Sequence, residues 1–343
     1  MKFEGTYLAG LGTYVPDLVT TEQAVQEGWY DAAVREASGL ESVAVAGDLS
    51  APDMAVRAAK AAVERSGHAP EDFGALVHSS AYHQGPDGWS PPHYVLANAL
   101  GTPITAMELK HGCQGMLSSV VLAAHRLACE PERSAVLVTA ADNYSAPLVD
   151  RWTTSSLSIF GDGAAAAVVS RVSGFAKVLS VGTHSAPTME AVHRGNEPIF
   201  PPAVTVGREL NYDSRVAFWM GEWAGGNTPP MVHPGEVLKT ALDEALKDAG
   251  ITAEEVSRVI HPSATVEALR DQWLEPVGFT LEQGIFDHTK RLGHIGPADV
   301  FIGLEHAWST RLVGPGDKVL LFTGSPGFEA GCLVVEILSE PAA

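Results

Sequence analysis

Two stretches of the chain carry the same pattern of apolar and polar positions. Residues 58–81, AAKAAVERSGHAPEDFGALVHSSA, align without gaps to residues 241–264, ALDEALKDAGITAEEVSRVIHPSA, at a constant offset of 183. Each copy reads as an amphipathic helix ended by a glycine C-cap, then a short acidic turn, then an apolar run that predicts a buried strand. Seven of the 24 positions are identical: Ala58/Ala241, Ala62/Ala245, Gly67/Gly250, Glu71/Glu254, His78/His261, Ser80/Ser263 and Ala81/Ala264. Each predicted strand therefore ends near a histidine.

The likeness resumes at an offset of 181. Gly112-Cys113-Gln114-Gly115 leads into LSSVVLAAHRLA. Gly293-His294-Ile295-Gly296 leads, through Pro297-Ala298-Asp299, into FIGLEHAWST, and His125 matches His306. The strands SAVLVTAAD and DKVLLFTGS close the two copies. A unit this long implies a duplicated half-domain and not a solenoid. Strands alternating with helices make each half α/β, with sheets covered by helices. The expected halves are residues 1–172 and 173–343. If they pack about a pseudo-twofold axis, the two Gly-X-X-Gly turns bring a cysteine to a histidine, as acyl transfer requires.

Composition bounds this picture without changing it. A chain of 343 residues exceeds the usual single-core size, which suits two fused halves. A formal charge of −19 argues against a sequence-blind nucleic-acid binder, which needs clustered Lys and Arg. Cys113, Cys129 and Cys332 form no CxxC pair, so neither a disulfide framework nor a metal site is expected. The first residues, MKFEGTYLAGLGTYVP, lack the charged start and apolar block of a leader, and no apolar run reaches membrane-spanning length. A cytoplasmic location is expected.

Candidate chemistry centres on the two turns. Cys113 follows the apolar strand TPITAMEL and precedes a helix, on an elbow flanked by Gly112 and Gly115. Small residues let such a turn present its side chain, and a helix N-terminus favours thiolate over thiol. Cys129 and Cys332, within a helix and a strand, read as inert. His294 lies five residues before Asp299, so the carboxylate can orient the imidazole as in a nucleophile–base–orienter triad. His261 and His78 are alternatives open to either a functional or a buried structural reading. His193, in EAVHRGNEP, reads as a loop residue that is either solvated or directed into a substrate channel. The segments Phe160–Val169 and Thr323–Val335 match no phosphate-binding loop and read as tight-packing, oxyanion-supporting turns.

An ordered series of motifs resembles the β-ketoacyl carrier-protein synthase III family along the whole chain. The series is GLGTYVP near the start, SGLES at 38–42, the GCQGM elbow, FGDGAAAAVV, the histidine of HPSA, the GHIG turn and the terminal PGFEAG. The resemblance implies the thiolase fold, with duplicated αβαβα halves forming a five-layer core, and a homodimer. It also implies ping-pong acyl transfer from a coenzyme A or carrier-protein thioester through the elbow cysteine. Ordinary members use Cys, His and Asn. Here Cys113 and His261 hold the first two places, but His294 stands where Asn is expected. Pro326 stands within the usual Gly-Gly-Gly-Phe and cannot donate an N–H, leaving the Cys113 and Gly327 amides as candidate oxyanion donors. Arginines common near position 39 are missing from ESVAV.

A Cys-His-Asp set resembles a branch of the family from aromatic polyketide pathways, which includes starter-unit acyltransferases and a sugar malonyltransferase of antibiotic biosynthesis. The expectation is an acyltransferase that loads a short acyl group, with malonyl the candidate and malonyl-CoA or an acyl carrier protein the donor. Cys113 carries the group, and His294, oriented by Asp299, deprotonates a sugar or polyketide hydroxyl without decarboxylation. The alternatives are a decarboxylating ketosynthase, which the missing Asn opposes, and a non-catalytic synthase subunit, which the retained cysteine opposes. A thiol redox sensor leaves the His294-Asp299 pair unexplained. Lys290 with Arg291 is the basic pair considered for carrier-protein docking.

Overall fold

Both predicted helix–turn–strand repeats form in the computed structural model, which describes residues 1–201, 205 and 207–341. In chain order the first half contains β1 (Tyr7–Tyr14), β2 (Leu18–Thr20), α1 (Thr21–Gln26), α2 (Ala32–Ser38), β3 (Ser42–Ala44) and α3 (Ala51–Ser66). It continues with β4 (Phe73–Ser79), α4 (Pro91–Ala99), β5 (Thr105–Leu109), α5 (Gly115–Cys129), β6 (Ala135–Asp142) and β7 (Gly163–Ser170). The second half contains β8 (Ala176–Ser185), α6 (Ala191–Arg194), α7 (Tyr212–Ala224), α8 (Pro234–Ala249) and β9 (Val256–Ile260). It ends with α9 (Phe286–Thr289), α10 (Asp299–Ser309), β10 (Lys318–Ser325) and β11 (Glu329–Ile337).

Helix α3 starts where the Ser50 hydroxyl accepts the Asp53 N–H, and it stops at Gly67, whose φ of 70° suits a residue without Cβ. Helix α8 stops in the same way at Gly250, with a φ of 73°. The strands join in the order β5-β4-β6-β7-β1-β8-β11-β10-β9. This order is nearly palindromic: each half contributes a parallel pair, β4/β6 or β9/β10, followed by antiparallel strands that run to the β1/β8 seam.

Strand alternation divides the apolar residues into layers. Val136 and Val138 of β6, with Val319 and Leu321 of β10, face a central core that contains Leu117 and Val120 of α5 and Phe301 and Leu304 of α10. Leu137 points the other way, to α3 and α4, while Leu320 and Phe322 point to α8. The result is helices, sheet, helices, sheet, helices. The two central helices are α5, which follows the 3-10 turn holding Cys113, and α10, which begins at Asp299.

The identical alanines of the repeat have a packing cause. A Cβ on Gly12 of β1 would lie 2.1 Å from the Ala58 carbonyl oxygen and 2.6 Å from the Ala62 nitrogen. On Gly182 of β8 it would lie 2.0 Å from the Ala241 oxygen and 2.7 Å from the Ala245 nitrogen. Strand and helix backbones touch at both places, which leaves room only for Gly against Ala. Gly12→Ala is accordingly expected to cost about 1–3 kcal/mol or more and to lower Tm by roughly 5 °C, measured by thermal unfolding. An unchanged Tm would mean that the strand-to-helix contact is not as close as described. Among the described residues no helix is long and apolar enough to cross a membrane.

Candidate active site

The two elbows have the same construction. Gly112–Gln114 forms one 3-10 turn that runs into α5, and Gly296–Ala298 forms another that runs into α10. Gly112 has a φ of 51°, and a Cβ there would meet Pro326 Cδ at 2.5 Å, so the turn needs glycine on two grounds. The elbows pack against each other: a Cβ on Gly115 would sit 2.8 Å from Ser79 Cβ and 3.6 Å from Pro297 Cβ. Cys113 and His294, 181 residues apart, are thereby brought side by side.

Cys113 Sγ lies 2.9 Å from His294 Nε2, and His294 Nδ1 lies 2.5 Å from Asp299 Oδ2. Asp299 is almost fully buried and accepts two main-chain hydrogen bonds besides, from Ile295 N–H at 2.7 Å and Ser263 N–H at 3.1 Å. Four lone-pair sites thus meet three donors, which holds the carboxylate and the ring in one orientation. Burial by itself pushes the His294 imidazole down. The Cys113 sulfur and the Asp299 carboxylate more than offset it, and His294 is held well above the ordinary histidine value. The pair can therefore exchange a proton within one short contact.

The segment FGDG holds the base from behind, a role absent from its sequence reading. His294 N–H donates to Ile159 C=O at 2.7 Å, and Gly161 N–H donates to His294 C=O at 3.0 Å. A Cβ on Gly161 would come within 2.2 Å of the Leu292 oxygen. Asp162, fully buried, takes a bidentate pair from Arg151 and accepts the Ala46 and Tyr144 N–H groups, which locks this loop to β6. Asp142, which closes β6, is also fully buried. Burial pushes its carboxyl up to about 7, against the Ala81 and Tyr82 amides that donate to it. A charged residue ending the apolar run AVLVTAAD was the available signal for Asp142. Nothing local marked Tyr144.

Several expected site residues lie elsewhere. His261 is fully buried and outside the cavity: Nδ1 meets Pro262 C=O at 2.9 Å, and Nε2 accepts Ile285 N–H at 3.0 Å. Burial pushes it down to about 4, so it is a neutral structural residue, and its assignment as a secondary site residue is corrected. His78 is buried likewise, between Thr139 Oγ1 and Gln84 Oε1. His193 sits on the short α6, not on a solvated loop. It lines the cavity with Nδ1 buried and unbonded. Gly327, with a φ of 96°, occupies the β10–β11 turn, where Phe328 N–H returns to Ser325 C=O. It lines the outer mouth beside His193 and Pro326. Cys332 is buried, and burial pushes its thiol up; Cys129 is exposed on α5. Lys290 and Arg291 both pair with Glu41, which leaves no free basic patch there.

The cavity in front of Cys113 and His294 has largely apolar walls, among them Tyr82, Phe160, Tyr212, Trp273 and Phe328. Its described lining contains no Lys or Arg.

Residues 107–187 match the family described as 3-oxoacyl-[acyl-carrier-protein (ACP)] synthase III, and residues 246–337 match its C-terminal region. The chain is 25% identical over 334 residues to β-ketoacyl-[acyl-carrier-protein] synthase III of Aquifex aeolicus, covering 96% of this chain and 99% of that one. It is similar to the solved acyltransferase ChlB3 at 36% identity and a TM-score of 0.93, covering 98% of both chains. Its likeness to the crystal structure of 3-oxoacyl-[acyl-carrier-protein] synthase III from Aquifex aeolicus VF5, at 22% identity and a TM-score of 0.76 over 96% of this chain and 99% of that one, carries the fold alone. That fold is the thiolase fold expected from the sequence.

Proposed function

Because this chain belongs to the 3-oxoacyl-[acyl-carrier-protein] synthase III family, whose members transfer or condense acyl groups, we propose that it is a non-decarboxylating acyltransferase. The acyl group passes from a coenzyme A or carrier-protein thioester, through Cys113, to a hydroxyl. The observation that carries this reading is the unbroken hydrogen-bonded chain Cys113–His294–Asp299. In the first step Cys113 Sγ attacks the thioester carbonyl, its proton having passed to His294 Nε2. The Sγ–C bond forms, the donor's C–S bond breaks, and His294 returns the proton to the leaving thiol. The Cys113 N–H, in the first turn of a helix and so without an intrahelical partner, is the oxyanion donor this reading assigns.

Acylation removes the charge that the sulfur can carry. The Cys113 sulfur is the largest influence raising His294, so the imidazole gives up its proton more readily once the acyl group is loaded. His294 then takes the proton of an alcohol whose oxygen attacks the acyl carbon, and the C–Sγ bond breaks to yield an ester. Asp299 accepts the Nδ1 proton in a hydrogen bond, so that Nε2 faces the reaction. A decarboxylating ketosynthase needs two donors for an enolate oxygen. His261 is turned to the Ile285 N–H, so only His294 Nε2 of that pair faces the reaction.

Malonyl, the acyl group expected from the resemblance, fits poorly. Its carboxylate would enter a cavity whose described lining offers no Lys or Arg, at a cost of several kcal/mol. A sugar or polyketide hydroxyl in antibiotic biosynthesis remains the proposed acceptor class. A homodimer is proposed as well, since β5 ends the sheet with its residues half exposed.

Intact-mass measurement after incubation with acetyl, butyryl and malonyl thioesters tests the reading. The expected result is an adduct on the Cys113 peptide that keeps every acyl carbon and is discharged by alcohols. Carbon dioxide release on adding malonyl carrier protein to the acylated enzyme would instead mean a ketosynthase, and no adduct with any thioester would sink both.

A further inference from the structure

We propose that the Tyr144 hydroxyl donates a hydrogen bond to an oxygen of the acyl group held on Cys113, so that the cavity selects an uncharged, oxygen-bearing acyl chain. This rests on the reading of Cys113 as the acyl carrier and adds the substrate class.

Three buried polar atoms without a hydrogen-bond partner line this one cavity: Tyr144 Oη, His193 Nδ1 and Ser325 Oγ. Buried polar groups are nearly always paired, so an orphan that faces a binding cavity marks a bond left for the ligand. Of the three, Tyr144 belongs to the aromatic wall that runs to His294, while Ser325 lies beside Gly112. The Tyr144 ring lies 4.7 Å from that of Phe160, which is itself 5.6 Å from the His294 ring. His193 instead belongs to the mouth, beside Pro326 and Gly327, where an acceptor enters. The acyl group is bound to Cys113 before any acceptor arrives, so it is the ligand within reach of Tyr144.

The phenol is held rigidly. Tyr144 N–H donates to Asp162 Oδ1 at 2.8 Å, the ring packs between Phe160 and Tyr82, and the residue is 2% exposed. Opposite the hydroxyl stands Gly296, where a Cβ would come within 2.6 Å of Oη. The missing Cβ leaves room beside the buried hydroxyl, near Asp142 Oδ2. Charge sets the other half of the preference. Arg151 is held by Asp162, and Arg215 donates to His193 C=O outside the inner cavity, so neither guanidinium faces an acyl carboxylate. A neutral oxygen satisfies the phenol, whereas a carboxylate would enter a cavity with no described Lys or Arg to neutralise it.

The test measures the rate of Cys113 acylation by butyryl, 3-hydroxybutyryl and malonyl thioesters, the first two matched in chain length. The wild-type protein is expected to prefer 3-hydroxybutyryl over butyryl by about tenfold and to load malonyl at least about a hundredfold more slowly than butyryl. In Tyr144→Phe the preference between the first two is expected to vanish. A wild-type protein without that preference, or a variant that keeps it, overturns the role of Tyr144. Malonyl loading as fast as butyryl overturns the charge selection. The wild-type ratios decide the proposal even if the variant does not fold. Failure of every thioester to acylate Cys113 removes the underlying acyltransferase reading, a result distinct from acylation without discrimination.

Discussion

Replacing His294 with Asn is expected to slow transfer from acyl-Cys113 to an alcohol by about a thousandfold or more, because general-base catalysis is worth roughly 10² to 10⁴ and the pairing with the nucleophile is lost besides. Asn restores the residue type ordinary for this place in the family, yet its amide cannot accept and hold a proton at neutral pH. Loading is expected to suffer less than discharge, since a thiol leaves without needing a strong base. Acyl-enzyme should therefore accumulate in the variant. Rapid-quench mass spectrometry of a single turnover reads both steps, and a variant that discharges to alcohols as fast as the parent would end the triad reading.

Asp299→Asn is expected to lower transfer by about 10³ to 10⁴ while leaving the backbone in place. Asp299 Oδ1 accepts Ile295 N–H, a bond that an Asn oxygen can keep. Its Oδ2 meets both His294 Nδ1 and Ser263 N–H, and an amide NH₂ there would face the Ser263 donor and offer a proton to Nδ1. The imidazole is then driven to the tautomer with its proton on Nε2, where it can accept nothing from an alcohol. Removal of the carboxylate also takes away one of the influences that raise His294, so the apparent pKa of His294 should fall in the variant. A pH profile of single-turnover discharge reports that shift, which a purely structural defect would not produce. Activity within tenfold of the parent would assign Asp299 to capping α10 alone.

Much of this was legible in the chain. The repeat is written in small residues wherever a helix backbone touches a strand, as at Ala58 over Gly12 and Ala241 over Gly182. It is written in glycines where α3 and α8 stop. Those needs are local or recur at a fixed offset, so alignment of the chain with itself finds them. The elbow cysteine and the His294-Asp299 spacing were legible for the same reason, being short-range features of two helix starts. His261 was not. Its position in the repeat and in the family pattern points to the site, yet its ring turns toward the Ile285 amide, a partner 24 residues away that no local pattern announces.

By itself, the sequence determined the helix–turn–strand repeat, the matched elbows and the candidates for nucleophile, base and orienter, because each depends on spacing within one helix start or on periodicity within one strand. The tertiary structure decided which histidine faces the cysteine and that FGDG braces it from behind. It also decided that the cavity carries an unpaired phenol and no described Lys or Arg. Those outcomes depend on contacts between segments far apart in the chain, where burial and hydrogen-bond geometry, and not residue type, set what each side chain can do.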